Sequence, residues 1–295
     1  MKKFSWQVYA LLAAVTEAST GVFNKNSMEE GFASEPTAFY ACLISFLILT
    51  FFILLRYQKA GMMELFNLKN ESLRIAIAAV FGLFMVFYFE TKAYFQLHVA
   101  SVVFIMLGTS TITTLVAGRL LLKEQLTFKY LVAICFAIAG LFLIFHHYGF
   151  DNLSFSMLFS VASGLGYGVF LVYSKKSNLE EAGFKFLWWF LGFGALYLSI
   201  PFFANGASLP SVDDLKNLFL LAIIPTLGGY YFTIRALTDG KASEVQIVLL
   251  SMPLFAALFG FLAFQEILTG TQLLGAAIIL IAIGIVQWPT RAKLS

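Results

Sequence analysis

Ten times along the chain, a run of about 20 residues passes with almost no charge. The runs cover approximately 5–24, 36–56, 73–91, 98–120, 128–146, 154–174, 185–203, 215–236, 243–264 and 270–288. At 1.5 Å of rise per residue, a helix of this length crosses a hydrocarbon core of about 30 Å. A lipid-exposed backbone must satisfy its own hydrogen bonds, so only helices and closed barrels span a bilayer. Barrel strands are about half as long, so these runs predict bundled helices. Composition agrees: the chain is 60% hydrophobic and 12% charged, with 34 Phe. A soluble domain carries about a quarter charged residues. Lys2 and Lys3 ahead of an apolar run look like a signal peptide. No small-x-small cleavage site follows, so the segment is read as the first helix. Cys42 and Cys135 both fall in apolar runs and suggest neither a disulfide nor a metal site.

Boundary signals support the count. Glu35-Pro36 opens the second run, Thr269-x-x-Gln272 is a capping box for the tenth, and Pro289 follows the last. Basic residues set the orientation. With a cytoplasmic N-terminus, the outer side holds only Lys25, Lys92 and Lys216, and the other 16 Lys and Arg fall inside. Both termini are then cytoplasmic. The net charge of +3 carries little information, because the charges sit in loops.

The chain also repeats itself. ASVVFIMLGTSTITTLVAGRLLLKEQLT from Ala100 aligns without gaps on ASEVQIVLLSMPLFAALFGFLAFQEILT from Ala242, an offset of 142. Shared positions include Ser101/Ser243, Gly118/Gly260, Glu124/Glu266 and Thr127/Thr269, and the register reaches upstream to Tyr88/Tyr230 and Thr91/Thr233. The expected fold is an all-α membrane protein of ten transmembrane helices, divided at 1–147 and 148–295. Five helices per half is an odd number, so the two five-helix repeats insert inverted. Such repeats, with a site at their interface, mark secondary transporters.

With these features the sequence resembles the EamA-type members of the drug/metabolite transporter superfamily. The likeness rests on ten helices in two repeats, on LLKEQLT and AFQEILT before helices five and ten, and on STGVFNK in the first helix. It spans essentially the whole chain. The resemblance implies a central cavity lined by helices 1, 3, 4, 6, 8 and 9, and transport of amino acids or other small metabolites, often as export. The chain departs from the family pattern at Glu17, where an aromatic or small residue is usual. Pro253 has no counterpart in the first half, where Thr111 stands.

Glu17 is the sharpest candidate. A charged residue at mid-membrane costs about 2.5–3.5 kcal/mol. At 100° per residue, Thr16, Glu17, Thr20 and Asn24 share one face of helix one, which must look into the bundle or a wet cavity. The alternative is a buried structural carboxylate. Matching Gly21-Val22-Phe23 to Gly168-Val169-Phe170 places Gly164 opposite Glu17, so the carboxylate is not repeated as a symmetric structural device would be. Helix six carries Ser156, Ser160, Ser163, Tyr167 and Ser174. It also holds a small-xxx-small run at Ser160, Gly164 and Gly168, so lining and packing both fit, with Tyr167 the cavity candidate. Tyr88 and Tyr230 could gate or hold a cation, or belong to an aromatic belt. Thr226, Tyr230 and Thr233 share a face. Thr111 in helix four, and Gln246 and Ser251 in helix nine, could line a polar path. Pro225 and Pro253 should bend their helices and free backbone carbonyls. Glu90, near the outer end of helix three, points away from Tyr88 and is expected to face water at the mouth. Glu124 and Glu266 read as structural, at the starts of helices five and ten. His146-His147 is a weak metal signal, and no metal and no cofactor is expected.

The leading function is a secondary transporter of the inner membrane, working by alternating access on a small-molecule substrate. Substrate binding is assigned to Glu17, Thr20, Asn24, Tyr88, Thr111, Tyr167, Tyr230, Gln246 and Ser251, and proton coupling to Glu17 and Glu90. Glu17 could pair with the ammonium of an amino acid or amine, or carry a proton. Export and cation uptake both fit. No P-loop appears, and no HExxH or aspartyl motif, so neither ATP-driven transport nor an intramembrane enzyme is indicated. Charges are too few for an ordinary channel pore. The lipid bilayer is the one expected macroscopic partner. Nothing suggests nucleic acid, and a monomer is compatible with the sequence.

Overall fold

The computed structural model describes residues 5–29, 34–66, 71–123 and 155–287, with parts of 128–143. Among these all regular secondary structure is helical. Helix α1 is Trp6–Ala18 and α2 is Thr20–Glu29, with Ser19 as the joint between them. Helix α3 is Ser34–Phe66. Helix α4, Ser72–Ala79, passes through a wide π-turn at Val80–Met85 into α5, Val86–Ala93. Helix α6 is Val99–Leu121, α7 is Phe155–Lys176 and α8 is Gly183–Ala204. Helix α9, Val212–Leu221, passes through a second π-turn at Ala222–Gly229 into α10, Tyr230–Asp239. Helices α11, Ala242–Leu249, and α12, Met252–Phe264, meet at a break over Leu250 and Ser251, and α13 is Gly270–Gln287.

Seven stretches among the described residues are long and apolar enough to cross a membrane, from Ser34–Leu55 to Ala242–Phe264. Gly270–Ala282 is a shorter apolar helix, and the first predicted run is divided at Ser19 and extends to Glu29. Nearly half of the predicted fifth helix, together with Glu124, His146-His147 and Pro289, lies outside the described residues.

Local chemistry explains several elements. Ser211 caps α9: its Oγ accepts from the Asp214 amide at 3.2 Å, and its own amide donates to Asp214 Oδ2 at 2.8 Å. Ahead of α13, the Thr269 amide donates to Gln272 Oε1 at 2.9 Å, and Gln272 Nε2 reaches Ser101 Oγ on α6. Pro225 lies inside the second π-turn and Pro253 in the first turn after the break at Ser251, so both prolines sit at departures from regular helix. Lys123 and Gln265, again 142 apart, both end their helices in the left-handed region, at φ 56° and 54°.

Small residues let α7 lie close on its neighbours. A Cβ at Gly164 would fall 2.2 Å from Met106 O, and one at Gly168 would fall 2.7 Å from Ser110 O, so the small-xxx-small run packs against α6. On the other side, a Cβ at Gly166 would fall 2.7 Å from Phe81 O. Trp188 is buried between α8 and α3, its indole donating to Thr50 Oγ1 at 2.7 Å. Tryptophan reaches inward here because a hydroxyl on the next helix satisfies its N–H.

Candidate functional site

Glu17 stands on the last turn of α1, facing α7 and α10. Its Oε1 accepts from Thr233 Oγ1 at 2.7 Å and its Oε2 from the Tyr167 hydroxyl at 2.8 Å. Gly229, at the end of the second π-turn, makes the approach possible: a Cβ there would lie 2.5 Å from Glu17 Cγ. Glu90 on α5 is buried, and its Oε1 accepts from the Tyr94 hydroxyl at 2.7 Å. Gly21 on α2 brings the first helix down on this group, since a Cβ there would meet the Tyr94 ring at 2.9 Å.

The two carboxylates share one internal cavity with Thr20, Val86, Phe87, Met106, Tyr167, Pro225, Tyr230 and Met252. Its volume is about 20 Å³, room for about one water. An amino acid does not fit, so this conformation is closed around the acids. Among the described ion pairs, no lysine, arginine or histidine meets Glu17 or Glu90. Two negative charges facing one small space repel each other, and a proton or a cation between them relieves that repulsion. Water is scarce there, so the relief is larger than it would be at a surface.

The predicted site residues are therefore divided. Glu17, Thr20, Tyr167, Tyr230 and Glu90 come together in the cavity wall. The expectation that Glu90 faces water at the mouth is corrected: it is 5% exposed and turned inward. Tyr88 is turned the other way. Its hydroxyl accepts from Lys92 Nζ at 2.9 Å and its ring lies 4.3 Å from that ammonium. Thr111 and Gln246 stand apart from the cavity wall and bond to each other, the Thr111 hydroxyl donating in turn to the Leu107 carbonyl at 2.7 Å. Gln246 Nε2 donates to Thr111 Oγ1 at 3.1 Å and Gln246 Oε1 accepts from Ser110 Oγ at 3.2 Å, a neutral clamp between α6 and α11. Ser251 donates to Val248 O at the helix break, and Asn24 donates to Thr20 O one turn beyond the cavity. Tyr94 is the site residue that sequence reasoning passes over. It lies beyond the predicted end of the third helix, and its one signal is the i, i+4 spacing from Glu90.

One end of the bundle is held by ion pairs. Glu266 Oε1 pairs with Lys25 of α2, while its Oε2 accepts from the Val99 amide at 2.8 Å, at the start of α6. Glu266 thus caps α6 rather than α13, the helix that follows it, because the left-handed Gln265 turns the chain back over Gly260. Beside it, Lys92 pairs with Glu35 at 3.0 Å. A wider groove of about 440 Å³ between α3 and α8 is lined by Phe39, Leu43, Phe46, Trp188 and other apolar side chains, with Ser199 at its edge. It offers no charged group.

Comparison with known proteins gives a consistent result. The model of the EamA-like transporter family matches residues 4–146 and again 154–288. An uncharacterized transporter of Archaeoglobus fulgidus is 29% identical over 172 residues, 57% of this chain and 60% of that one. An uncharacterized transporter of Helicobacter pylori strain J99 is 27% identical over 192 residues, 62% of this chain and 63% of that one. The matches thus span about three-fifths of these relatives' length. A solved crystal structure superposes with a TM-score of 0.69 over 96% of each chain at 13% identity, a likeness of fold alone.

Proposed function

The chain belongs to the EamA-like transporter family, and from that premise we propose that it is a proton-coupled secondary transporter for a small metabolite bearing an ammonium group. Amino acids and amines are the substrate classes that fit. The observation that carries this reading is the pair Glu17 and Glu90 on one cavity without a described basic partner. A cationic group and a proton satisfy the pair in the same way, so one can replace the other as the cavity opens to each side.

In this reading the ten helices form two inverted halves, 1–147 and 148–295, that rock about the site in the inner membrane with both termini cytoplasmic. The double match of the family model supports the division. So does the recurrence of π-turns and left-handed helix ends at positions 142 residues apart. Tyr167 and Thr233 hold Glu17, Tyr94 holds Glu90, and Thr20 and Tyr230 complete the wall. The closed outer ion pairs suit a carrier that loads from the cytoplasm and exports.

The test is flux in proteoliposomes. Radiolabelled amino acids and amines are screened with an imposed pH gradient of each sign, for the parent protein and for Glu17→Gln. Saturable flux driven by the proton gradient, and lost in Glu17→Gln, supports the reading. Saturable flux of an anion, or flux indifferent to pH in the parent, sinks it.

A further inference from the structure

The two π-turns begin 142 residues apart, at Val80 and Ala222, and both lead into the stretch that faces the cavity. A π-turn widens the helix by one residue per turn and leaves a backbone carbonyl without its usual amide. Here each turn has a carbonyl met by a distant hydroxyl. Tyr230 OH donates to Gly82 O in the first turn. Ser45 Oγ lies 2.8 Å from Ala222 O at the start of the second, and shares its proton with Ala41 O at 2.6 Å. Within the second turn, Thr226 Oγ1 donates five residues back to Leu221 O at 2.8 Å. Tyr230 belongs to the second half and pins the first. Ser45 belongs to the first half and pins the second.

We infer that Tyr230 and Ser45 are positioning residues, which hold the two π-turns open so that Glu90 faces the cavity and Thr233 meets Glu17. The inference rests on the reading of Glu17 and Glu90 as the coupling site. Its geometry is simple. A helix that relaxes from π to α loses one residue of offset, which turns everything beyond it by about 100°. For the first turn that swing carries Glu90 off the cavity, and for the second it carries Thr233 off Glu17. Space favours the pinned form. A Cβ at Gly82 would fall 2.4 Å from the Phe170 ring and 2.9 Å from that of Phe190, so the bare backbone lies against both rings. The Tyr230 ring crosses them at 5.7 and 5.2 Å between centroids. Because each pin comes from the opposite half, movement of one half withdraws the pin from the other. The two turns are thereby coupled.

The experiment uses the full chain in vesicles and needs no substrate. Backbone amide exchange is measured over 80–88 and 222–231 for the parent, Tyr230→Phe, Ser45→Ala and Ser45→Thr. In parallel, Glu90→Cys on a Cys42→Ser, Cys135→Ser background is labelled with a permeant maleimide, with and without Tyr230→Phe. Tyr230→Phe should speed exchange about fivefold over 80–88 and change the labelling rate at position 90 severalfold. Ser45→Ala should act on 222–231, and Ser45→Thr, which keeps the hydroxyl, should match the parent. Unchanged exchange in both segments overturns the inference, as does faster exchange with unaltered labelling at position 90. If Tyr230→Phe does not fold, the Ser45→Ala and Ser45→Thr pair decides by the same exchange criterion. Failure of the coupling reading shows elsewhere, as pH-indifferent flux in the parent, since neither readout here depends on flux.

Discussion

Thr91 and Thr233 stand at the same place in the two repeated stretches and do different work. Thr91 donates to the carbonyl of Phe87 on its own helix, 2.6 Å away. Thr233 donates to Glu17. Their neighbours differ in the same way. Tyr88 leans out to Lys92, while Tyr230 turns in to the Gly82 carbonyl. Phe87 occupies the position that Gly229 fills in the second helix, where only a glycine leaves room for Glu17. The difference begins at a single residue in another helix. Laying Gly21-Val22-Phe23 on Gly168-Val169-Phe170 sets Gly164 opposite Glu17, and Gly164 is packed against a carbonyl of α6. A repeated scaffold therefore carries an unrepeated charge, and the helix facing that charge is the one adapted to it.

Four substitutions break or sharpen the comparison. Glu17→Gln keeps the shape and removes the charge, and proton-driven flux should fall about a hundredfold. The check is flux against pH, which should also lose its slope. Glu90→Gln should cost about tenfold in flux at saturating substrate, because Glu17 remains to hold the cation. An effect larger than that of Glu17→Gln would reverse the assignment of roles. Thr233→Val removes a hydroxyl that serves a carboxylate, and should weaken substrate binding or stability by about 1.5–3 kcal/mol, read by thermal shift with and without amine. Thr91→Val is its mirror and should leave flux and melting within about 0.5 kcal/mol of the parent, because a threonine bonded to its own backbone adds little. Equal effects of the two valines would dissolve the asymmetry.

The clamp between α6 and α11 marks the limit of reading polarity as function. Gln246, Ser110 and Thr111 are buried more completely than Glu17, and from sequence alone they look as promising. Their hydrogen bonds go to one another and, from the Thr111 hydroxyl, to the Leu107 carbonyl, with no charged partner. Interhelical hydrogen bonds of this kind are worth about 0.6 kcal/mol on average in a membrane. Gln246→Met should accordingly lower melting slightly and leave proton coupling intact.

Helices and family were legible because an apolar run of span length has few other uses, and Glu17 because a charge inside such a run needs a reason. Glu90 and Tyr88 were not legible. A helical wheel assumes an even turn, and VFGLFM carries no mark of a π-turn except the small Gly82. Once the turn widens, which of two residues 200° apart faces the cavity is decided by the offset upstream. Glu266 misled for a related reason: its partners, Lys25 and Val99, are brought to it by packing from far along the chain.

Glu266 also changes what salt can do to this protein. One of its oxygens meets an ammonium and the other a backbone amide at a helix start. Lys25 keeps only 18% and Glu266 only 9% of its side chain exposed, so dissolved ions screen this pair weakly. Raising ionic strength should thus leave Lys25 seated, with α2 and α6 joined to the end of α12 through both bonds and through Gly21. The seal is a joint that concentrated brine alone does not open.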